Sequence, residues 1–113
     1  MAAVYVSNLV INTGSTFTQT FNLEATNTNA PLDLTGYSAS SQMRKWAGSN
    51  TSVSFASTVT DPDLGQLQIS LGSTQTVDIK PGRYLYDVLL EDAGGFKYKV
   101  VEGMILVRVG VTR

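Results

Sequence analysis

The chain has no cysteine and no histidine among its 113 residues. No disulfide framework can form, and the usual zinc ligands and the imidazole base of most nucleophile–base pairs are missing. Charge is scarce too. Only 15% of the residues are charged, and 8 basic residues against 9 acidic ones leave a formal net charge of −1. A nucleic-acid partner, which needs clustered Lys and Arg, is therefore not expected. No apolar run approaches the roughly 20 residues of a membrane-spanning helix, so no membrane partner is expected either. The opening MAAVYVSNLV lacks the basic region and cleavage pattern of a secretory signal. It predicts a protein that stays in the cell that makes it or leaves by lysis.

What is present is alternation. The length suits one domain, residues 1–113, with a core that needs no staples. Ser, Thr, Asn and Gln carry much of the polarity, and such neutral groups desolvate more cheaply than charges, which suits burial in an assembly. The clearest stretch is KPGRYLYDVLLE, residues 80–91. Pro81-Gly82 marks a turn, and Tyr84, Tyr86, Val88 and Leu90 then fall on one side of an extended chain, with Arg83, Asp87 and Glu91 on the other. Val4 to Ile11 reads as a first strand. Thr16 to Ala25 follows with Phe17, Phe21, Leu23 and Ala25 inward, and Gln19 breaks that face, so it finds a partner or the register is bulged.

Tyr37 to Lys45 places Tyr37, Ala39, Ser41 and Met43 on one face. Val53, Phe55 and Val59 mark a further strand, and Leu67, Ile69 and Leu71 another. Gly72 to Ile79 suits one helical turn or an irregular crossover. Asp92-Ala93-Gly94-Gly95 signals a hairpin, from which Phe96 to Val101 returns. A last strand after Gly103 puts Ile105, Val107, Val109 and Val111 inward. No segment holds a 3.6-residue period, and about seven to nine short strands between turn clusters predict an all-β, immunoglobulin-like antiparallel β-sandwich. Pro-Gly-Arg-Tyr-Leu-Tyr resembles the start of the sixth strand of such domains, where a tyrosine hydroxyl bonds back to the preceding corner. Tyr84 is the candidate for that role; alternatively, Tyr84 and Tyr86 simply fill core.

Little chemistry is on offer. Asp61 and Asp63, and Glu91 and Asp92, are the carboxylate pairs, but each sits in turn chemistry where Asp is expected for backbone bonding. Asp61-Pro62-Asp63 lacks the further oxygen ligands that calcium needs, and no Gly-rich phosphate loop opens a helix. The expectation is no enzyme, no metal and no cofactor. Trp46, the one indole, follows Arg44-Lys45 at a strand end. It is either a stacking platform for a sugar, a protein-interface anchor, or a cap on the open end of the sandwich.

The alternation leaves Leu85 and Leu89 facing outward beside Asp87, and Met104 and Leu106 facing outward beside Arg108. In an immunoglobulin-like order these two strands share a sheet, so Leu85, Leu89, Met104 and Leu106 form a candidate interface, unless the protein's own loops or N-terminal strand cover them. Val4 to Val10, an edge without Lys or Pro, is a candidate for strand addition.

The order of motifs carries a family resemblance. PLDLTGYSASSQMRK (31–45) is followed by DLGQLQISLGSTQTVDIKPGRYLYDVLLEDAGG (63–95) and then by VVEGMILVRVGVTR (100–113). The D-L-T-G-Y strand, the L-x-I-x-L strand led by glycine, the G-x-Y-x-Y-D strand and the final E-G-x-x-x-V…V-T-R strand, in that order, resemble small β-sandwich proteins of tailed bacteriophages. Similar pieces open the upper-baseplate proteins that attach receptor-binding modules to the tail. The resemblance implies a virion structural protein made in the host cytoplasm, working by contact with other virion proteins or as a homo-oligomer, with no catalytic residues. Longer members continue past the position of Thr112-Arg113 into a connector. A stand-alone tail, neck or head-surface component is therefore as compatible with the resemblance as a baseplate one. A carbohydrate-binding or adhesion module using Trp46, Tyr37 and the loop ends is the alternative.

Overall fold

The computed structural model describes residues 5–24, 30–46 and 48–111. β-branched and aromatic residues at every second position favour extended chain, and nine strand segments form: β1 (Tyr5–Val6), β2 (Leu9–Asn12), β3 (Phe17–Asn22), β4 (Ser38–Arg44), β5 (Val53–Ser54), β6 (Ala56–Asp61), β7 (Gln66–Leu71), β8 (Gly82–Glu91) and β9 (Lys97–Arg108). A 3₁₀ turn at Pro62–Leu64 and one α-helical turn, α1 (Ser73–Thr76), are the helical pieces among the described residues. One sheet runs β1–β9–β8–β4–β5, with β2 also on β9, and the other runs β3–β7–β6. The fold is an all-β sandwich with immunoglobulin-like strand order. One departure from the antiparallel expectation is that β1 and β2 lie parallel to β9.

The two inner faces make the core. Met43, Tyr84, Tyr86, Val88, Leu90, Ile105 and Val107 bury against Phe17, Phe21, Leu67, Ile69 and Leu71. The inward faces read from β3, β4, β7 and β8 are those observed; Ala25 and Val4 lie outside the described residues. Tyr84 occupies the corner expected of it, its hydroxyl donating to the Lys80 carbonyl at 2.7 Å. The segment after Gly72 makes one helical turn, and buried Thr76 explains why. Its hydroxyl faces the carbonyls of Ser15 (2.8 Å) and Ser73 (3.2 Å) and accepts the Gly14 N–H at 3.1 Å. That hydroxyl ties the crossover to the turn between β2 and β3.

Four expectations need correction. The stretch from Val53 to Val59 is two strands in different sheets. Phe55 turns into the core, its ring 5.9 Å from that of Phe17 and its N–H on the Ser41 carbonyl at 3.0 Å, so the chain leaves one sheet there and joins the other. The last two strands are a single strand, β9. Val88 opposes Val101 and Leu89 opposes Lys99, which leaves Val100 as the extra residue of a bulge. Both Val100 and Val101 are buried. β9 ends at Arg108, so Val109 and Val111, expected inward, are exposed. Finally, the N-terminal strand is broken at Ser7-Asn8 into β1 and β2. In β3, by contrast, Gln19 causes no bulge: the register with β7 is unbroken from Phe17 to Asn22.

Candidate functional site

The alternation that buries Tyr84, Tyr86 and Val88 pushes Leu85, Asp87 and Leu89 to the outer face of the long sheet. The register then assembles that face in rows. Leu85 stands opposite Met104 on β9 and Arg44 on β4. In the adjacent row Leu106 lies between Arg83 on β8 and Val10 on β2. On the other side Glu102 lies between Asp87 and Val6, and beyond it Leu89 faces Lys99 and Ser40. The structure therefore brings Leu85, Met104 and Leu106 together on one face. They are 42%, 44% and 42% exposed, too much for residues covered by their own loops. Leu89 is on the same face but half-buried, one row beyond Asp87.

Two members of this face were not identified from the sequence. Val10 and Val6 are 47% and 68% exposed and extend the apolar strip on its β9 side. Their spacing with Asn8 was a usable signal, but which strand they join is not written in it. What seats them is the break at Ser7-Asn8. The Tyr86 hydroxyl donates to the Ser7 carbonyl at 2.6 Å, the Ser7 N–H to the Glu102 carbonyl at 3.0 Å, and the Met104 N–H to Asn8 Oδ1 at 3.0 Å. Gly103 makes room, because a Cβ there would run into the Ser7 carbonyl. A groove of about 590 Å³ runs between this break, Leu85, Leu89 and Met104.

The polar rim is made of exposed ion pairs. Lys99 lies 3.6 Å from Glu102 and 3.9 Å from Asp87, and Lys97 lies 3.8 Å from Glu91. Such pairs contribute little to stability, yet they leave both charge signs beside an apolar centre, the usual make-up of a protein interface.

Trp46 is 61% exposed in the loop after β4, so it does not cap the sandwich. Its neighbour Lys45 turns aside, with Nζ 4.7 Å from the centre of the Tyr84 ring. Arg44 donates to the Ser49 carbonyl and to Gln42 Oε1, fastening the same loop. Tyr37 precedes the seven-residue β4 and Trp46 follows it, so the six steps of the strand, ~20 Å at about 3.3 Å each, lie between them. The two cannot share one sugar site.

Asp92 and Asp33 have structural tasks. Asp92 Oδ1 accepts the N–H groups of Gly94 (2.9 Å) and Phe96 (3.0 Å), closing the hairpin. Asp61 ends β6 and Asp63 lies in the following 3₁₀ turn. Asp33 accepts both the N–H and the hydroxyl of Thr35, and those bonds hold its carboxyl below the usual carboxylate range. Among the described residues no three acidic side chains gather as a metal site.

No protein-family profile and no curated protein sequence matches the chain. Solved structures do. An internalin-like protein of Listeria monocytogenes is similar over 95% of this chain and 28% of its own, at 15% identity and a TM-score of 0.46. A mutant form of the SrpA adhesin of Streptococcus sanguinis is similar over 89% of this chain and 54% of its own, at 9% identity and a TM-score of 0.52. The chain thus spans only part of either protein, and at 9% identity the likeness to the adhesin is one of fold.

Proposed function

We propose that this chain is a structural component of a tailed-bacteriophage virion that works by protein–protein contact, without catalysis, through the outer face of the long sheet. The observation that carries the contact reading is the in-register strip of Leu85, Met104, Leu106 and Val10, exposed on a rigid sheet and rimmed by Arg44, Arg83, Asp87, Lys99 and Glu102. Apolar side chains clustered on a preorganised sheet surface bind with little ordering cost. The resemblance of the order of motifs to that of phage baseplate proteins supports the virion as the place, and a neighbouring virion protein as the occupant of the face.

The double variant Leu85→Asp, Leu106→Asp places two carboxylates on the face without touching the core. It is expected to keep its fold by circular dichroism and to be lost from purified particles of the phage that encodes it, whereas the unmodified protein is expected to band with them. Equal incorporation of the folded variant would remove the face as the contact, and absence of the unmodified protein from the particles would remove the virion role.

A second reading rests on Trp46 alone, whose exposed indole is a ready stacking surface for a sugar ring. Saturable quenching of its fluorescence by a glycan, abolished in Trp46→Ala, is what a carbohydrate-binding module would show. Unchanged emission across a glycan panel would dismiss it.

A further inference from the structure

The two sheets leave four outer edges, and three of them carry a recognised guard. Short length, charge, bulges and interruptions all discourage an edge strand from pairing with another chain. β5 is two residues long. β6 shifts register between Val59 and Asp61 and ends on a carboxylate. The β1/β2 edge is broken at Ser7-Asn8. Among the described residues β3 has none of these. It is six residues of FTQTFN, without charge, proline or glycine, in unbroken register, and among the described residues it pairs with β7 only. At about 3.4 Å per residue the strand is ~20 Å long.

Its sequence adds a second observation. Phe17-Thr18-Gln19-Thr20-Phe21 reads the same in both directions about Gln19. An antiparallel pair of such strands, related by a two-fold axis at Gln19, sets Phe17 against Phe21, Thr18 against Thr20 and Gln19 against Gln19. The inner face would carry aromatic pairs and an amide pair, and the outer face Thr–Thr pairs, each a favourable cross-strand combination. Gln19 is the polar break in an otherwise apolar inner face. Within one chain its described hydrogen bond is a local one, Nε2 donating to the neighbouring Thr20 carbonyl at 3.1 Å. A second Gln19 amide across the axis supplies the partner that the core does not.

We propose that the edge of β3 away from β7 pairs with β3 of a second copy of this chain, antiparallel and centred on Gln19, so that two three-stranded sheets become one continuous sheet. The occupant follows from the palindrome: an unrelated strand would have no reason to match it, whereas the same strand matches it residue for residue. This edge lies in the other sheet from the Leu85–Leu106 face, so the inference does not rest on the function proposed above.

The absence of native cysteine makes the test clean. Directly opposed residues in an antiparallel pair have Cα atoms about 4.5–5.5 Å apart, within disulfide range, while diagonal neighbours are about 7–8 Å apart and outside it. Gln19→Cys is expected to give a covalent dimer on mild oxidation, at twice the 12.1 kDa chain mass. Thr18→Cys alone is expected to form no covalent dimer, and an equal mixture of Thr18→Cys and Thr20→Cys chains to cross-link. The unmodified protein is expected to sediment as a dimer at high concentration, and Gln19→Lys, which opposes two ammonium groups on the axis, as a folded monomer. Leu85→Asp, Leu106→Asp is expected to leave the Gln19→Cys cross-link intact. A folded Gln19→Cys protein that resists oxidation, or a Thr18→Cys protein that cross-links alone as readily, would overturn the pairing.

Discussion

At the scale of single residues, Tyr84 shows how one side chain can do three tasks. Its ring is in the core, its hydroxyl holds the Lys80 carbonyl at the corner before β8, and its face receives Lys45. Replacing it with phenylalanine keeps the ring and removes the bond, which for a partly buried carbonyl costs about 1–2 kcal/mol. Urea unfolding of Tyr84→Phe should show that loss as a lower midpoint at an unchanged slope. The same hydroxyl predicts a pH dependence. Burial raises its pKa above the ordinary tyrosine value, so the unfolded chain gives up the proton first. The stabilisation is whole below about pH 10 and declines as pH rises past the unfolded pKa. Tyr98, pushed the same way by burial and then by the charge of Asp92, adds to the decline. Tyr84→Phe should therefore flatten the alkaline loss of stability in part, and an unaltered alkaline profile would contradict the burial argument.

At the scale of elements, Gly103 marks where local pattern and tertiary structure part. In the sequence a glycine between two β-rich runs reads as a break, and two strands are expected there. In the fold β9 runs straight through it, because the residue is small for the sake of the Ser7 backbone lying against it. Gly103→Ala should cost about 1–3 kcal/mol through overpacking, with faster amide hydrogen exchange at Ser7 and Met104, whose N–H groups bond across this contact. Protection unchanged at both would mean the contact is not close. The strands whose two faces differ sharply, β3, β4, β7 and β8, were legible from alternation alone, as were the turn at Asp92 and the outward Leu85, Met104 and Leu106. The sheet change at Phe55 was not. Val53, Phe55 and Val59 keep one parity through a crossing that depends on what Phe55 meets in the core. Nor was the bulge at Val100, since two adjacent apolar residues fit either face until a partner strand fixes the count. Val6 and Val10 escaped notice because their place on the face depends on parallel pairing with a strand some ninety residues later.

At the scale of the whole molecule, the first and last strands of the described chain close the fold on each other. β2 lies along β9 from Leu9 opposite Ile105 to Asn12 opposite Arg108, and Thr13 continues the join through its N–H to Arg108 and its hydroxyl to the Gly110 N–H. Leu9 and Ile11 are buried, and their burial contributes about 3–6 kcal/mol together, against a net stability for a domain of about 5–15 kcal/mol. A chain lacking residues 1–12 also leaves the Tyr86 hydroxyl without the Ser7 carbonyl and the β9 edge open. It should be marginal in stability and prone to associate through that edge. A synthetic peptide of residues 1–13 supplies the missing strand in trans, so adding it in excess should raise the unfolding temperature of the truncated protein in a saturable way. The same peptide carrying Ile11→Asp should not. A truncated protein within about 0.5 kcal/mol of the full chain would show that the closure of the sandwich rests on β8 and β9 alone. Rescue by the peptide would show that the open β9 edge accepts a strand supplied from outside the chain, the same chemistry proposed for the edge of β3 away from β7.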